Sequence, residues 1–132
     1  WCGSLWLAVE EAASQPAEKE SYLNATSEDT IRSKAWTGKP ARMLKNKWTE
    51  AWENPDNPDP LPMPLQGMIT FDAMRRTSMY AGTGQTQKVA FNAAGQVIGQ
   101  VNHIQSVKDV MFGLINEYID TVERLNELLP KD

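Results

Sequence analysis

The chain has 132 residues, 41% of them hydrophobic, and a formal net charge of −4. That is one domain's worth of chain with enough apolar residues for a core, which excludes wholesale disorder. The acidic balance excludes a general nucleic-acid binder, no apolar run reaches the roughly 18 residues of a membrane span, and a single cysteine, Cys2, excludes an internal disulfide. The opening Trp1-Cys2-Gly3-Ser4-Leu5-Trp6-Leu7 is apolar but has no basic flank and soon meets Glu10 and Glu11, so it does not read as a signal peptide, and a cytoplasmic location is the default expectation.

In chain order, residues 2–7 alternate small and bulky apolar types and predict a short buried strand. Pro16 suits a first helical turn, so a helix is expected over about 16–25. Asn24-Ala25-Thr26 matches a glycosylation acceptor, read here as a chance match. Ser27-Glu28-Asp29 reads as a turn, and Thr30 to Trp36 alternates as a half-exposed strand. Thr37-Gly38-Lys39-Pro40 is turn chemistry, after which Ala41, Leu44, Trp48 and Ala51 follow a helical period and predict a helix over about 41–53. Residues 54–64 hold five prolines and read as an extended connector. Leu65, Met68, Ile69, Ala73 and Met74 mark a helix over 65–80, which Ala81-Gly82-Thr83-Gly84-Gln85 breaks. Val107, Met111, Leu114, Tyr118, Val122, Leu125 and Leu129 lay an apolar stripe along a long last helix, with Ser106 as N-cap, Asp109 three residues on, and Pro130 just beyond.

Few residues could carry catalysis unaided. His103 is the single histidine, which excludes a multi-histidine metal site, and it reads as a surface residue. Cys2 reads as packing; Glu10 and Glu11 read as a solvated face. Six basic residues and no acid lie between Arg32 and Lys47, a solvated surface or a site for an anionic partner. Gly3-Ser4 is a weak phosphate-binding pattern: exposed backbone N–H groups beside a hydroxyl. In Asn92-Ala93-Ala94-Gly95-Gln96-Val97-Ile98-Gly99-Gln100 the glycines allow close approach to a ligand or to neighbouring chain, and their order does not match the dinucleotide fingerprint.

Three blocks resemble, in order, the C-terminal part of the FMN-dependent nitronate monooxygenases. Gly3-Ser4-Leu5-Trp6-Leu7 is similar to the family's Gly-Thr/Ser-Arg-aromatic-Leu. Residues 29–53 are similar to its Asp-Thr-Val, Thr-Gly-Arg-Pro-Ala-Arg and Thr-Glu-Ala-Trp block. Ala94-Gly95-Gln96-Val97-Ile98-Gly99 is similar to its Gly-Gln block. Leu5 departs from the family's Arg. The resemblance implies an α+β, mostly helical fragment: the last strand of a flavin-binding (β/α)8 barrel and its helix (1–26), a small α/β domain (27–90, with the 54–64 connector), and a Gly-Gln segment and C-terminal helix returning to the barrel (91–132). It implies FMN as cofactor, with Gly3 and Ser4 at its phosphate and Gly95 and Gln96 near the barrel mouth. The implied reaction is oxidation of an alkyl nitronate with O2 to a carbonyl compound and nitrite.

The family's catalytic histidine belongs to earlier strands, and His103 does not match it, so no catalytic or metal-binding residue is expected here. The absence of an initiator Met before Trp1 fits a piece of a longer protein, expected to be inactive alone and to seek the remainder of its barrel or a second copy of itself. Two other readings remain: a flavin-dependent enoyl-acyl-carrier-protein reductase of the same barrel family, and a stand-alone helical interaction module.

Overall fold

The fold is taken from a computed structural model, described for residues 3–130. Its regular elements are α1 (Pro16–Leu23), β1 (Thr30–Ser33), β2 (Ala41–Leu44), α2 (Lys47–Glu53), α3 (Leu65–Met79) and α4 (Val107–Glu127), with short 3-10 turns between them. Helices dominate, and the single sheet is a two-stranded hairpin.

The expected opening strand is corrected: Gly3–Ala8 is a 3-10 helix, and Trp1 and Cys2 lie outside the described residues. A strand needs a ladder partner, and the segment finds one only where it ends, in a parallel bridge from Val9 to Gln105. Tight i→i+3 bonding satisfies the preceding backbone instead. The apolar side chains still turn inward, with Ala8 and Val9 buried. Lys19 on α1 is itself buried, and its Nζ donates to the carbonyls of Val9 (2.7 Å) and Glu10 (3.0 Å). That fastens α1 to the end of the 3-10 turn.

The expected helix over 41–53 is also corrected. Residues 41–44 form β2, antiparallel to β1 in the register Thr30↔Leu44, Ile31↔Met43, Arg32↔Arg42, Ser33↔Ala41. The expected strand over 30–36 stops at Ser33, because the turn begins there. Gly38 sits at φ +79, and a Cβ on it would lie 2.6 Å from Met63 N and 2.8 Å from the Pro62 carbonyl carbon. Only glycine supplies both that backbone and that clearance. Helix α2 starts at Lys47 because Asn46 caps it, its Oδ1 accepting from Trp48 N and Thr49 N, both at 3.0 Å.

Two small cores result. Ala35, Trp36 and Met43 are buried with Trp48 stacked on Trp36, ring centroids 4.3 Å apart and 13° from parallel, and Phe91 edge-on to Trp36 at 5.6 Å. Ala8, Tyr22, Leu44, Ala94, Ile98 and Val101 form the other. Leu44 and Met43, neighbours on β2, point to opposite faces and enter different cores. Helix α3 docks mainly through polar groups: buried Gln66 donates from Nε2 to Ala35 O (2.8 Å), and buried Thr70 donates to Trp36 O (2.5 Å). Ala73 and Met74 pack on the tryptophan core as expected, whereas Leu65, Met68 and Ile69 face solvent.

Helix α4 begins at the predicted cap. The Ser106 hydroxyl accepts from Asp109 N at 3.1 Å. Glu11, exposed as expected, also reaches the same helix end, its carboxylate accepting from Val107 N at 2.9 and 3.1 Å. Among the residues of α4 only Val110 is buried. Most of the predicted stripe stands open, from Val107 at 36% to Tyr118 at 70% exposure, with Leu114 half-buried.

Candidate functional site

Ser4 and Gly95 meet. The Gly95 N–H donates to Ser4 Oγ at 2.7 Å, across 91 residues of chain. The two glycine-containing blocks singled out in the sequence therefore form one place on the surface. Ser4 is half-buried and Gly3 is exposed, and among the described residues beyond its chain neighbours nothing lies within 4 Å of a Cβ built on Gly3. The Ser4 oxygen is taken by Gly95, and among the described residues its hydrogen has no acceptor. A hydroxyl in that state is a ready donor to an anionic oxygen.

Gln96 follows at the start of a 3-10 turn, Gln96–Gln100, and its side chain is exposed. Its carbonyl accepts from Ser27 Oγ at 2.7 Å. Gly99, one turn on, lies flat against the same serine, where a Cβ would come within 2.6 Å of Ser27 Oγ and 2.7 Å of Ser27 N. Sequence reasoning missed Ser27. Gly99 belonged to the noticed block, but its reason is contact with neighbouring chain. Ser27 is held by its own turn. Thr26 caps the turn with Asp29, whose carboxylate accepts from Thr26 Oγ1 (2.7 Å) and Thr26 N (2.8 Å). Those two bonds, the hydroxyl's first, hold the Asp29 carboxyl below the usual carboxylate range, with a smaller contribution from Lys45.

A phosphate would meet two kinds of donor at this place, the backbone at Gly3 and the Ser4 hydroxyl, with the Gly95 N–H already given to that serine. No acid is among Gly3, Ser4, Gly95 and Gln96 to repel it. The other candidates stand apart. His103 is exposed in the loop before α4. The basic residues of 32–47 spread over the hairpin, with Arg32 directly opposite Arg42 and Arg42 Nη1 donating to Thr30 Oγ1 at 3.0 Å. Both ion pairs of the described residues belong to Asp72, with Arg75 and Arg76, so the hairpin's cations are unpaired there. Among the described residues no group of three or more His, Cys, Asp or Glu side chains is placed to hold a metal, and no helix is long and apolar enough to cross a membrane.

The fold is also seen in solved proteins. FabK from Thermotoga maritima matches with a TM-score of 0.69 at 23% identity, over 94% of this chain and 38% of that one. A single-substitution mutant of it matches with a TM-score of 0.64 at 24% identity, over 96% of this chain and 35% of that one. At that identity the likeness is one of fold alone. The nitronate monooxygenase family model matches residues 1–117, and the chain belongs to that family. A Mycobacterium tuberculosis protein bearing a monooxygenase name is 44% identical over 99% of this chain and 36% of its own length. A Bacillus subtilis protein bearing a nitronate monooxygenase name is 31% identical over 89% of this chain and 32% of its own length. The chain thus spans about a third of the curated relatives it matches.

Proposed function

We infer that this chain supplies part of the FMN phosphate site of a nitronate monooxygenase, as the C-terminal part of a flavin-binding (β/α)8 barrel. The observation that carries this reading is the 2.7 Å bond from Gly95 N to Ser4 Oγ, which joins the two blocks that resemble the family's cofactor-binding segments. When bound, FMN supplies the redox chemistry between an alkyl nitronate and O2, giving a carbonyl compound and nitrite. This chain's share is binding and orientation. The Gly3 backbone and the Ser4 hydroxyl would donate to the phosphate. Gly95, held by Ser4, keeps the Gln96 segment beside it. No described residue here is assigned a proton transfer, since His103 lies exposed and without a partner to orient it. On this reading residues 3–130 alone neither hold FMN tightly nor turn over, and the open face of α4 is the surface that packs on the rest of the barrel.

The test uses the complete open reading frame. The purified protein should carry one FMN and release nitrite from an alkyl nitronate in the presence of O2, without nicotinamide. Consumption of NADH or NADPH with an enoyl thioester, and no nitrite, would favour the enoyl-acyl-carrier-protein reductase instead. The unpaired cations on the hairpin, suited to an acidic carrier, are what keep that second reading in view.

A further inference from the structure

We propose that Ser27 and Gly99 form a clasp that positions the Gly95–Gln96 segment for FMN, making Ser27 a positioning residue for cofactor binding although it stands outside the glycine-containing blocks. The proposal rests on the reading of Ser4 and Gly95 as cofactor-binding. Gly95–Gln96 is held from two sides by groups distant in sequence. On one side Ser4 Oγ takes the Gly95 N–H at 2.7 Å. On the other, Ser27 Oγ donates to the Gln96 carbonyl at 2.7 Å. These bonds fix consecutive residues through opposite kinds of group, an N–H and a carbonyl, so the intervening peptide has little freedom to rotate.

Gly99 sets the distance. Its Cα approaches Ser27 so closely that an added Cβ would lie 2.6 Å from Ser27 Oγ, 2.7 Å from Ser27 N and 3.3 Å from the Thr26 carbonyl carbon. The obstructing atoms include backbone, which cannot swing aside. Ser27 is in turn fixed by the Thr26–Asp29 cap on its own short turn. The segment from Thr26 to Asp29 is therefore a rigid post, and Gly95 to Gly99 is strapped to it. Since a phosphate site works through the placement of its donors, loosening the strap lowers affinity without removing any donor.

The experiment compares wild type, Ser27→Ala and Gly99→Ala in the complete open reading frame, by titrating FMN into apoprotein with flavin fluorescence and recording the apoprotein Tm. Ser27→Ala removes one exposed hydrogen bond and keeps the Cβ. The clasp predicts an FMN Kd raised about three- to tenfold, with the apoprotein Tm essentially unchanged. Gly99→Ala is expected to raise Kd at least as much. Ser27→Thr, which keeps the hydroxyl, should bind FMN more tightly than Ser27→Ala. An unchanged Kd in Ser27→Ala, or a Kd loss in Ser27→Ala that tracks a fall in its own Tm, overturns the clasp while leaving the cofactor site standing. Wild-type protein that binds no FMN overturns both.

Discussion

Ser4 Oγ accepts the Gly95 N–H at 2.7 Å, and this one bond decides what the two glycine segments can do together. Removing the hydroxyl leaves the Gly95 N–H without its partner and takes away the donor proposed for the phosphate. Ser4→Ala is therefore expected to weaken FMN binding more than Ser27→Ala does, by about tenfold or more, since a hydrogen bond to a charged group contributes about 1.5–3 kcal/mol. Ser4→Thr keeps the hydroxyl and should stay close to wild type. A fluorescence titration of FMN into the three apoproteins is the check, and equal affinities for Ser4→Ala and wild type would remove Ser4 from the site.

Tyr22 makes stability fall in alkali. Burial first, and Glu18 second, push its phenol up to about 12 from the ordinary 10. In the folded state the proton is held until about pH 12, whereas the unfolded chain releases it near pH 10. The unfolded state therefore binds fewer protons across that interval, and stability drops as pH rises through it. The full stabilisation is present below about pH 10, and the loss amounts to about 2–3 kcal/mol by pH 12. Urea midpoints between pH 9 and 12 should show that slope in wild type and a shallower one in Tyr22→Phe.

Asn46 ties the start of α2 to the chain at Ala90. Its Oδ1 caps α2 through Trp48 N and Thr49 N, while its Nδ2 donates to Ala90 O at 2.6 Å. Asn46→Ala loses the cap and strands the carbonyl, costing about 2 kcal/mol. Asn46→Ser keeps an acceptor for the helix and should cost less. Chemical denaturation measures both, and an Ala variant as stable as wild type would show that water replaces the cap at no cost.

The sequence was most informative where one signal acted alone. Ser106 as a cap, the glycine break after α3 and the long period of α4 were all legible, because each is a local property of the chain. The failures lie where two signals competed. Ala41, Leu44, Trp48 and Ala51 fit a helical period by coincidence. The first two belong to β2, and the cap at Asn46, read in time, would have divided the stretch correctly. Residues 3–8 carry the composition of a buried strand, yet the hydrogen-bond partners a strand needs are not local and cannot be read from those residues. The meeting of Ser4 with Gly95 was foreshadowed only by family resemblance, and nothing in Ser27 itself announced its bond to Gln96.

Gly38, the hairpin's one glycine, is expected to tolerate no replacement. Its φ of +79 alone penalises an alanine, and the clearance of 2.6 Å to Met63 N leaves no room for the methyl group. Gly38→Ala should destabilise by about 1–3 kcal/mol or more, because strain and collision act together and the obstructing atoms are backbone. The collision is with the connector that leads into α3, so the damage should spread to Gln66 and Thr70, which dock that helix on Ala35 and Trp36. Tryptophan emission, reporting on the stacked Trp36 and Trp48, should move toward that of exposed indole. A variant that kept both its midpoint and its emission would show that the turn can rearrange around the methyl.

The open face of α4 governs how the isolated chain behaves. Met111, Ile115, Tyr118 and Leu125 are 45%, 49%, 70% and 53% exposed, and Phe112 and Ile119 widen the apolar surface on the same helix. A contiguous patch of that kind is rarely left in water by a monomer. Residues 1–132 expressed alone should therefore self-associate, with sedimentation showing species larger than 14.8 kDa. Replacing Ile115 and Ile119 by Lys should shift the population toward monomer without loss of helical signal, because neither side chain is buried in the fold and lysine is a good helix former. In the complete open reading frame the same double substitution should act in the opposite sense, lowering stability by placing two charges at the surface proposed to pack on the rest of the barrel. A monodisperse monomer from the unaltered chain, together with a harmless double substitution in the complete protein, would mean that this face is built for water and that α4 docks on nothing.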